Sequence, residues 1–428
     1  MTEKMGLWGA VSIAVGTMIG ASIFSVFGLG ARIAGHNLPL VFVLSGAVAL
    51  LVAYSYAHLG ARIVSNAGPI EFILRGMGDG LTTGALSILM WLTYVVSIAL
   101  FAKGFSGYLL PLLHVQPTGL HTALAELGVI VGFTALNLLG TGAVGRAEVV
   151  IVGVKLAVLG VFILLGLRSV QVAWITPSFG SGQASGTVNA AAVFFLSYMG
   201  FGLVTNASEN IRDPARNVPR AIYLSIAIVT VIYVLVSVVA VGNLPIPRLM
   251  EAQEYALAEA AKPFLGSLGY LLVSLGALFS ISSALNATLY GGANIAYALA
   301  KEGELPELFE RKVWFRAPEG LYLTAILGLV FAVSFNLNGI ASIASAVFMV
   351  VYLFVLLSHF RLAEEVGGRR SIIGVGLGTI GVVFLLLMRY QWGTDRGAFY
   401  ATWGTLAGSL ILEAVYRGLT KRGIVTRS

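Results

Sequence analysis

Long apolar stretches recur along almost the whole chain, and they restrict the possible folds more than any other feature. Each holds about 17 residues or more, enough to cross roughly 30 Å of hydrocarbon as a helix. Only 11% of the 428 residues are charged, against about 25% in a soluble domain, and the mean hydropathy is +0.91. Twelve membrane-spanning helices are predicted, at roughly 7–33, 38–61, 81–112, 121–140, 147–168, 187–209, 219–242, 264–299, 321–336, 340–360, 371–389 and 398–416.

These stretches predict an all-α fold that is integral to a membrane. Fifty-two glycines are scattered through the apolar runs, where they suit close helix packing, and the runs lack the alternating pattern of a membrane β-barrel. The predicted connections are short, which excludes a tethered extramembrane enzyme or a DNA-binding head. The sequence has no cysteine, so it holds neither a disulfide nor a thiolate metal site.

The distribution of basic residues predicts the orientation of the chain. The net charge of +7 invites a nucleic-acid interpretation. However, 18 of the 26 Lys and Arg residues lie in the N-terminus and in every second loop, whereas six lie on the other side. Cytoplasmic loops of membrane proteins carry this excess of positive charge. We therefore expect a multi-pass protein of the cell (plasma) membrane with both termini in the cytoplasm, whose partner is the lipid bilayer and not a nucleic acid.

Two spans are interrupted in the middle by glycines and hydroxyl residues. The first contains Gly16-Thr-Met-Ile-Gly-Ala-Ser-Ile-Phe24, and the sixth contains Phe194-Phe-Leu-Ser-Tyr-Met-Gly-Phe-Gly202. Because they lie five spans apart, and five is odd, a second five-span copy would insert upside down. Matched interruptions of this kind point to the substrate site of inverted-repeat transporters. The predicted repeats are 1–168 and 187–360; the alternative is that the glycines serve only close helix packing.

Unwound backbone at these interruptions has N–H and C=O groups that a dry bilayer leaves without partners. A zwitterion can supply the partners, because N–H groups after a break suit a carboxylate and carbonyls before it suit an ammonium. We expect the N–H groups of residues 20–22 to bind a carboxylate, and carbonyls near Met18, Leu196 and Met199 to bind an amine. Glycine allows a ligand to approach the backbone closely. The predicted substrate-binding residues are Met18, Ile19, Gly20, Ala21, Ser22, Leu196, Met199, Gly200 and Gly202.

Two aromatic residues, Tyr198 and Phe201, flank the sixth-span interruption. Aromatic residues in membrane helices mostly pack or anchor the helix at an interface. Their position beside the break makes a gate an equal alternative, and we predict them as gate residues.

Lys155 stands in the fifth span with apolar residues on all sides. Counted from Arg146 at about 1.5 Å per residue, it lies roughly 13–14 Å inside the membrane, too deep to snorkel easily. Charged residues at such a depth are expensive and mark ion or proton paths. Because burial favours the neutral amine, Lys155 is predicted to carry the coupling proton. The alternative is a structural lysine that permanently donates to helix carbonyls.

The other charged residues of the spans support weaker predictions. Lys103, about 22 residues into a span that starts on the inside, is expected to reach the outer interface and snorkel. Glu126, Glu148 and Glu413 lie near span ends, and the five histidines have no metal-ligand spacing. We therefore expect no catalytic residue, no metal and no cofactor. The amphipathic segment 249–262 is expected outside the membrane, as a lid or only as a connector.

Three segments carry a family resemblance: residues 16–24 (GTMIGASIF), residues 195–222 (FLSYMGFGLVTNASENIRDPARNVPRAI) and residues 283–306 (SALNATLYGGANIAYALAKEGELP). They resemble the amino acid–polyamine–organocation (APC) superfamily, and the resemblance covers the whole chain. It implies a LeuT-like fold, in which a 5+5 inverted repeat is followed by two extra C-terminal helices (371–416) and a cytoplasmic tail (417–428). It also implies proton-coupled transport of amino acids with broad specificity.

The resemblance also implies a role for the buried lysine. In sodium-coupled relatives a cation occupies a site lined by the first and eighth helices, which here corresponds to carbonyls near Gly16 and to Ser282 and Ser283. The ammonium of Lys155 would take the place of that metal. Many members carry a glutamate where this chain has Gly202, which leaves Lys155 as the main candidate for coupling.

Together these inferences predict a secondary active transporter that imports L-amino acids with protons by alternating access. An amino acid or amine exchanger is an alternative in the same class, although a polyamine would require an anion that the predicted pocket lacks. A membrane nutrient receptor is an alternative from another class; it would share the site but normally carry a signalling extension. An intramembrane enzyme would require converging His, Asp or Glu at mid-depth, and the sequence places none there.

Overall fold

The computed structural model describes residues 4–20, 22–65, 67–138, 144–301, 305, 309, 311 and 319–420, and these residues are almost entirely helical. Within these ranges the only extended pairing is an isolated bridge between Met5 and Ile211. The predicted all-α class is confirmed. The α-helices are α1 (Leu7–Met18), α2 (Ser22–Ser25), α3 (Phe27–Ala34), α4 (Leu38–Arg62), α5 (Pro69–Met77), α6 (Leu81–Leu112), α7 (Gly119–Leu138), α8 (Val144–Gly166), α9 (Ser181–Phe194), α10 (Leu203–Asn206), α11 (Pro214–Asn243), α12 (Ile246–Ala252), α13 (Ala256–Lys301), α14 (Glu319–Ser334), α15 (Leu337–Val366), α16 (Arg370–Thr394) and α17 (Arg396–Thr420).

Counted over the described residues, ten helical stretches are long and apolar enough to cross a membrane by length and composition. Helix α14, at the predicted ninth span, is shorter, with 16 residues. Helix α17, at the predicted twelfth span, is not one of the ten. The number of twelve spans therefore stays a prediction, although a helix occupies each of the twelve predicted places.

The first predicted span is broken at the predicted position. Helix α1 ends at Met18 and α2 begins at Ser22, and Ile19 and Gly20 between them are not helical. The N–H groups of Ile19 and Gly20 turn back to the carbonyls of Val15 (2.9 Å) and Thr17 (3.2 Å), which closes the end of α1. The two other carbonyls at the end of α1, those of Gly16 and Met18, need partners from elsewhere in the molecule.

The sixth predicted span changes its winding at the predicted position. After α9 the chain forms a 3₁₀-helix from Phe195 to Gly202, eight residues long, and then resumes as α10. Runs of 3₁₀-helix longer than about four residues are uncommon, and a stretch in the middle of a helix often marks a functional hinge. The glycine-rich segment thus adopts a tighter winding and not an open loop.

The two interrupted helices pack against each other in the centre of the bundle. A Cβ built on Gly200 would lie only 2.8 Å from the backbone nitrogen of Met18, so the two backbones are as close as glycine permits. Around them, α4 packs along α11 and α6 packs along α13. Helices α4 and α11 are the second and seventh predicted spans, and α6 and α13 are the third and eighth. The two members of each pair are therefore five spans apart. This agrees with an inverted repeat, whose boundaries at 1–168 and 187–360 stay a prediction.

A connecting segment follows α11 on the predicted outer side. It consists of α12, a 3₁₀-turn at Gln253–Tyr255 and the first residues of α13. Within α13 the backbone is not helical at Gly266, where φ is 62°, so residues 256–265 form a short helix before the long spanning part. We call residues 246–265 the outer segment.

Candidate functional site

A cavity of about 120 Å³ lies between the two interrupted helices. One water molecule needs roughly 10–15 Å³ in this measure, so the cavity has room for a small solute. Ile19 and Gly20 belong to the first break but not to the lining, and Ala21 lies outside the described residues. The other predicted substrate-binding residues line the cavity: Met18, Ser22, Leu196, Met199, Gly200 and Gly202.

The cavity extends from the breaks towards the predicted cytoplasmic side. Its lining includes Pro69 and Asn206, which lie in segments near the predicted cytoplasmic connections. On the opposite side the helices are tightly packed: Tyr108 donates a hydrogen bond to the Phe24 carbonyl (2.9 Å). This contact joins α6 to α2, directly after the first break.

The cavity wall is mostly apolar and aromatic, and its described lining residues carry no charged side chain. Two polar atoms of the wall, the Tyr56 hydroxyl and Asn206 Oδ1, are buried without a hydrogen-bond partner in the described part of the chain. A buried polar group that lacks a partner costs about 1–3 kcal/mol. A neutral polar ligand that pairs with these atoms would recover part of that cost.

Tyr233 of α11 joins the two breaks, and sequence reasoning missed it. Its hydroxyl lies against the Met18 carbonyl, 3.1 Å from Ser22 Oγ and 3.3 Å from the Ser197 carbonyl. The side chain is fully buried. One hydroxyl therefore connects the end of α1, the start of α2 and the 3₁₀-helix. The sequence around a tyrosine in an apolar span looks the same whether its hydroxyl binds the breaks or its ring only packs.

We expect Tyr233→Phe to loosen the two breaks while the ring keeps its packing. Loss of a buried hydrogen-bond donor should lower the free energy of unfolding by about 1–3 kcal/mol. Thermal unfolding of the purified protein, with and without amino acid, measures the change and the loss of ligand stabilisation. Tyr223→Phe is the control, since Tyr223 lies on the same helix and is 36% exposed. Equal effects of the two variants would contradict the role of Tyr233.

Hydroxyl groups of other helices also hold the carbonyls of the breaks. Ser280 Oγ of α13 donates to the Ile19 carbonyl (2.9 Å), and the Tyr352 hydroxyl of α15 donates to the Met199 carbonyl (3.1 Å). Ser22 Oγ donates to the Met18 carbonyl (3.0 Å). In this structure several carbonyls predicted for an amine thus already have protein donors. The Gly20 N–H, predicted for a carboxylate, is engaged by Thr17.

Lys155 is buried, 1% exposed, and its ammonium donates to the Gly16 carbonyl. Gly16 is two residues before the end of α1, so its carbonyl is one of the last four that have no N–H partner within the helix. A cation at a helix C-terminus is also favoured by the helix dipole. On α13, Ser283 is buried and Ser282 half-buried, and Ser280 of the same helix donates to the Ile19 carbonyl in the break.

The structure places the two predicted gate residues outside the cavity lining. Tyr198 is fully buried and donates to the Phe42 carbonyl of α4 (2.8 Å). Phe201 stacks on Tyr352, with ring centroids 5.6 Å apart. Both residues make packing contacts here, and their role as gates stays a prediction. The aromatic residues that do line the cavity are Tyr56, Tyr94, Phe101, Phe348 and Tyr352.

The expectation that Lys103 snorkels to the outer interface is wrong. Its Nζ lies 2.8 Å from Glu126 Oε1 of α7, and the Glu126 side chain is not exposed at all. The prediction failed because it treated each helix alone, whereas the partner comes from the next helix. In the ranges that the structure describes, no three His, Cys, Asp or Glu residues are grouped closely enough to hold a metal ion.

Comparison with known proteins places this architecture in a family. The family model of the amino acid permeases matches residues 5–407. An uncharacterized protein of Methanocaldococcus jannaschii is 60% identical over 98% of this chain and 97% of its own length. The inner membrane transport protein YbaT of Escherichia coli is 35% identical over 98% of this chain and 97% of its own length. The branched-chain amino acid permease BcaP of Bacillus subtilis is 25% identical over 72% of this chain and 69% of its own length.

The match extends over nearly the whole chain and includes both interrupted helices and Lys155. It agrees with the resemblance of residues 16–24, 195–222 and 283–306 to the APC superfamily. The chain belongs to the amino acid permease family, within the APC superfamily of membrane transporters.

Proposed function

We propose that this permease is a secondary active transporter that imports L-amino acids of broad specificity together with protons, by alternating access. The observation that carries the proposal is the contact of the Lys155 ammonium with the Gly16 carbonyl. It brings the Lys155 amine of α8, a group that can bind a proton, into contact with α1, whose broken end lines the cavity. We further propose that the protein resides in the plasma membrane with both termini in the cytoplasm, as the distribution of basic residues predicts.

Protonation of Lys155 would control the position of α1. The ammonium makes a charge-assisted hydrogen bond to Gly16, and such bonds are roughly twice as strong as those between neutral groups. After loss of the proton the tie between α8 and α1 is weaker, and α1 is free to move. We assign the protonated form to the arrangement described above, in which the cavity extends towards the predicted cytoplasmic side. Binding of the proton then favours one of the two states, cavity open to the inside or cavity open to the outside, as alternating access requires.

The amino acid would be recognised through its backbone-like part. The N–H groups that follow the first break, together with Ser22, suit the carboxylate, and carbonyls of the 3₁₀-helix suit the ammonium. Because Tyr233 and Tyr352 occupy some of these carbonyls here, binding would exchange one hydrogen bond for another. The neutral, largely aromatic wall would receive the side chain. Recognition by the backbone part is compatible with many different side chains.

Uptake of a panel of labelled amino acids into proteoliposomes, with and without a pH gradient that is acidic outside, tests the proposal. We expect several amino acids to accumulate against their gradient only when the pH gradient is present. Dissipation of the pH gradient with a protonophore should release the accumulated substrate. Uptake that requires a counter-substrate inside and ignores the pH gradient would instead identify an exchanger.

We expect substrates without a free α-carboxylate or α-amine to compete poorly. Each lost charge removes a hydrogen bond to a charged group, which is worth about 1.5–3 kcal/mol, or roughly a tenfold to hundredfold loss of affinity. Inhibition of labelled uptake by an amino acid, its amide and its N-acetyl derivative measures the effect. The control is an amino acid whose side chain is one methyl group larger than that of the parent and whose α-carboxylate and α-amine are both free. Amides that compete as well as the parent acids would contradict this orientation of the substrate.

An exchanger and a membrane nutrient receptor are the alternatives that would use the same cavity. A polyamine exchanger is disfavoured by the absence of a carboxylate among the described lining residues. A receptor would bind amino acids without net uptake, so the proteoliposome experiment separates the two classes.

A further inference from the structure

Two histidine rings lie against each other near the predicted cytoplasmic ends of α4 and α15. The imidazoles of His58 and His359 are stacked, with ring centroids 5.4 Å apart and 29° between their planes. His359 is fully buried and His58 is half-buried. Neither residue belongs to the lining of the central cavity. The pair is therefore a second cluster of titratable groups, separate from the site described above.

The buried ring of His359 ties α15 to two other parts of the chain. Its Nε2 lies 2.9 Å from the Gly367 carbonyl, which can only accept, so Nε2 carries a hydrogen. Its Nδ1 lies 2.9 Å from Ser55 Oγ of α4. In the neutral ring Nδ1 has no hydrogen and accepts the one on the Ser55 hydroxyl. The neutral imidazole thus makes one hydrogen bond to α4 and one to the connection between α15 and α16.

A glycine turn in this connection covers both rings. Gly368 has a φ of 109°, which glycine adopts without strain. A Cβ on Gly368 would lie 2.8 Å from His359 Nε2 and 3.5 Å from His58 Cδ2, so the turn packs directly on the two imidazoles. The next residue, Arg369, donates its backbone N–H to the Tyr54 hydroxyl of α4 (2.8 Å). The connection, residues 367–369, is therefore docked on α4 through groups that surround the histidines.

The two helices of this contact also form part of the cavity wall. Tyr56 of α4 and Tyr352 of α15 both line the cavity, and their ring centroids lie 5.3 Å apart. His58 follows Tyr56 by two residues, and His359 follows Tyr352 by seven, or about two helical turns. The histidine contact therefore continues the seam between α4 and α15 from the cavity towards the predicted cytoplasmic side.

Protonation of both rings disfavours this arrangement. His58 Nδ1 lies 2.8 Å from the Tyr54 carbonyl and therefore carries a hydrogen, which leaves Nε2 of that ring to bind a proton. A proton on each imidazole would place two positive charges side by side, one of them in a buried position. In the described ranges no carboxylate lies within 4.0 Å of either ring. The docked connection is therefore most stable when the pair is neutral, and acid weakens it.

The charged groups of the neighbouring elements do not supply a counter-charge. Glu71 of α5 is paired with Arg75 (2.6 Å), and Glu364 of α15 is paired with Arg370 of α16 (2.9 Å). Tyr54 of α4, and Tyr223 of α11 near it, ionise only far above neutral pH. The other charged side chains on the elements around the pair are exposed, and most of them are basic: Arg62, Arg216, Arg220, Arg361, Glu365 and Arg369.

We propose that His58 and His359 form a pH-sensitive latch. The latch holds the connection on α4 while the pair is neutral, and it releases the connection when the predicted cytoplasmic side becomes acidic. Its physiological role rests on the proposed import with protons, since every transport cycle delivers a proton to this side. The seam between α4 and α15 then responds to a product of transport.

The position of the connection can be measured with two spin labels, because the sequence has no cysteine. Val64→Cys, two residues after the end of α4, replaces a side chain that is 40% exposed, and Ser371→Cys lies at an exposed position of α16. Pulsed electron paramagnetic resonance in lipid nanodiscs gives the docked and released fractions at pH 8 and pH 5.5. The measurements are made with Lys155→Ala, so that Lys155 does not titrate, and are repeated with native Lys155.

We expect the docked fraction to fall at pH 5.5. A free imidazole has a pKa of about 6.5, so the ratio of docked to released should fall up to about tenfold if one ring takes up a proton and up to about a hundredfold if both do. His359→Gln should lose the response, and His58→Gln should show a reduced one. Gly368→Ala should be released at both pH values, because its methyl group would lie 2.8 Å from Nε2 of His359. His121→Gln, at an exposed position on the predicted outer side, is the control and should keep the native response.

A connection that stays docked to the same extent at pH 8 and pH 5.5 would overturn the proposal, as would a variant with both His58→Gln and His359→Gln that keeps the native response. If glutamine cannot replace the buried ring and His359→Gln is released at both pH values, His58→Gln decides, and a response equal to the native one overturns the latch. His36 and His114 are present in every variant and cannot account for a difference between them. Because the readout is a distance and not uptake, failure of the latch is distinct from failure of proton-coupled import.

Discussion

Lys155→Ala is expected to abolish accumulation of amino acids driven by a pH gradient. Only a group that binds and releases its proton can couple the gradient to α1, and alanine has none. Uptake at equal pH on both sides, and binding of substrate, should persist at a reduced level. Uptake into proteoliposomes with an acidic exterior, compared with liposomes free of protein, measures the loss. Lys301→Ala is the control, since it removes one positive charge from an exposed position.

The two interpretations of Lys155 differ in their expectation for Lys155→Arg. A guanidinium does not release its proton near neutral pH, so a coupling role predicts that this variant fails too. A structural lysine predicts partial activity, because arginine still donates to helix carbonyls. Removal of the side chain leaves the Gly16 carbonyl without this donor, at a cost of about 1–3 kcal/mol, so thermal unfolding must be measured alongside. Gradient-driven accumulation in either variant would assign the coupling to another group.

Gly200→Val is expected to remove substrate binding. A Cβ at this position would lie 2.8 Å from the Met18 nitrogen and 3.0 Å from the Thr17 Cβ, and valine adds two further methyl groups. The backbones of the two breaks would have to separate, and overpacking of this kind costs about 1–3 kcal/mol or more. Since the same backbones line the cavity, the geometry of the site changes with them. Binding is measured by ligand-induced thermal stabilisation and by uptake.

A glycine on a lipid-exposed helix provides the matched control. Gly374→Val lies on α16, where a Cβ meets no atom within 4 Å, and should leave binding intact. Gly20→Val is expected to act like Gly200→Val but less strongly, because a Cβ there lies 3.0 Å from the Thr17 carbonyl oxygen and 3.2 Å from the Ala284 Cβ. Normal affinity in both Gly20→Val and Gly200→Val would contradict the location of the site.

The position of the cavity could be predicted from the sequence because glycine clusters in apolar spans are a local signal. The residues that organise it could not. Tyr233, Ser280 and Tyr352 come from three other helices and contact backbone carbonyls. Every residue has such a carbonyl, so the sequence does not show which ones are contacted. A hydroxyl residue in an apolar span has the same local appearance whether it packs, faces lipid or holds a break. Only the tertiary arrangement separates these cases.

The Lys103–Glu126 pair shows a signal that was present but not used. Lys103 lies nine residues before the end of α6, and Glu126 lies seven residues after the start of the next helix, α7. At about 1.5 Å per residue, both are at a depth of roughly 10–14 Å. Opposite charges at equal depth on consecutive helices predict a contact. The same count places Glu126 twelve residues before the end of α7 and Lys155 eleven residues after the start of α8, so depth alone does not assign Glu126 to Lys103 and not to Lys155.

The 3₁₀-helix at Phe195–Gly202 would change the length and the rotation of the sixth span if it rewound as an α-helix. A 3₁₀-helix rises about 2.0 Å and turns about 120° per residue, whereas an α-helix rises about 1.5 Å and turns about 100°. Rewinding all eight residues would shorten the sixth span by about 4 Å and turn its two ends relative to each other by about 160°. The span can therefore act as a screw, in which a local change of winding at the cavity moves the cytoplasmic end without bending the helices that surround it.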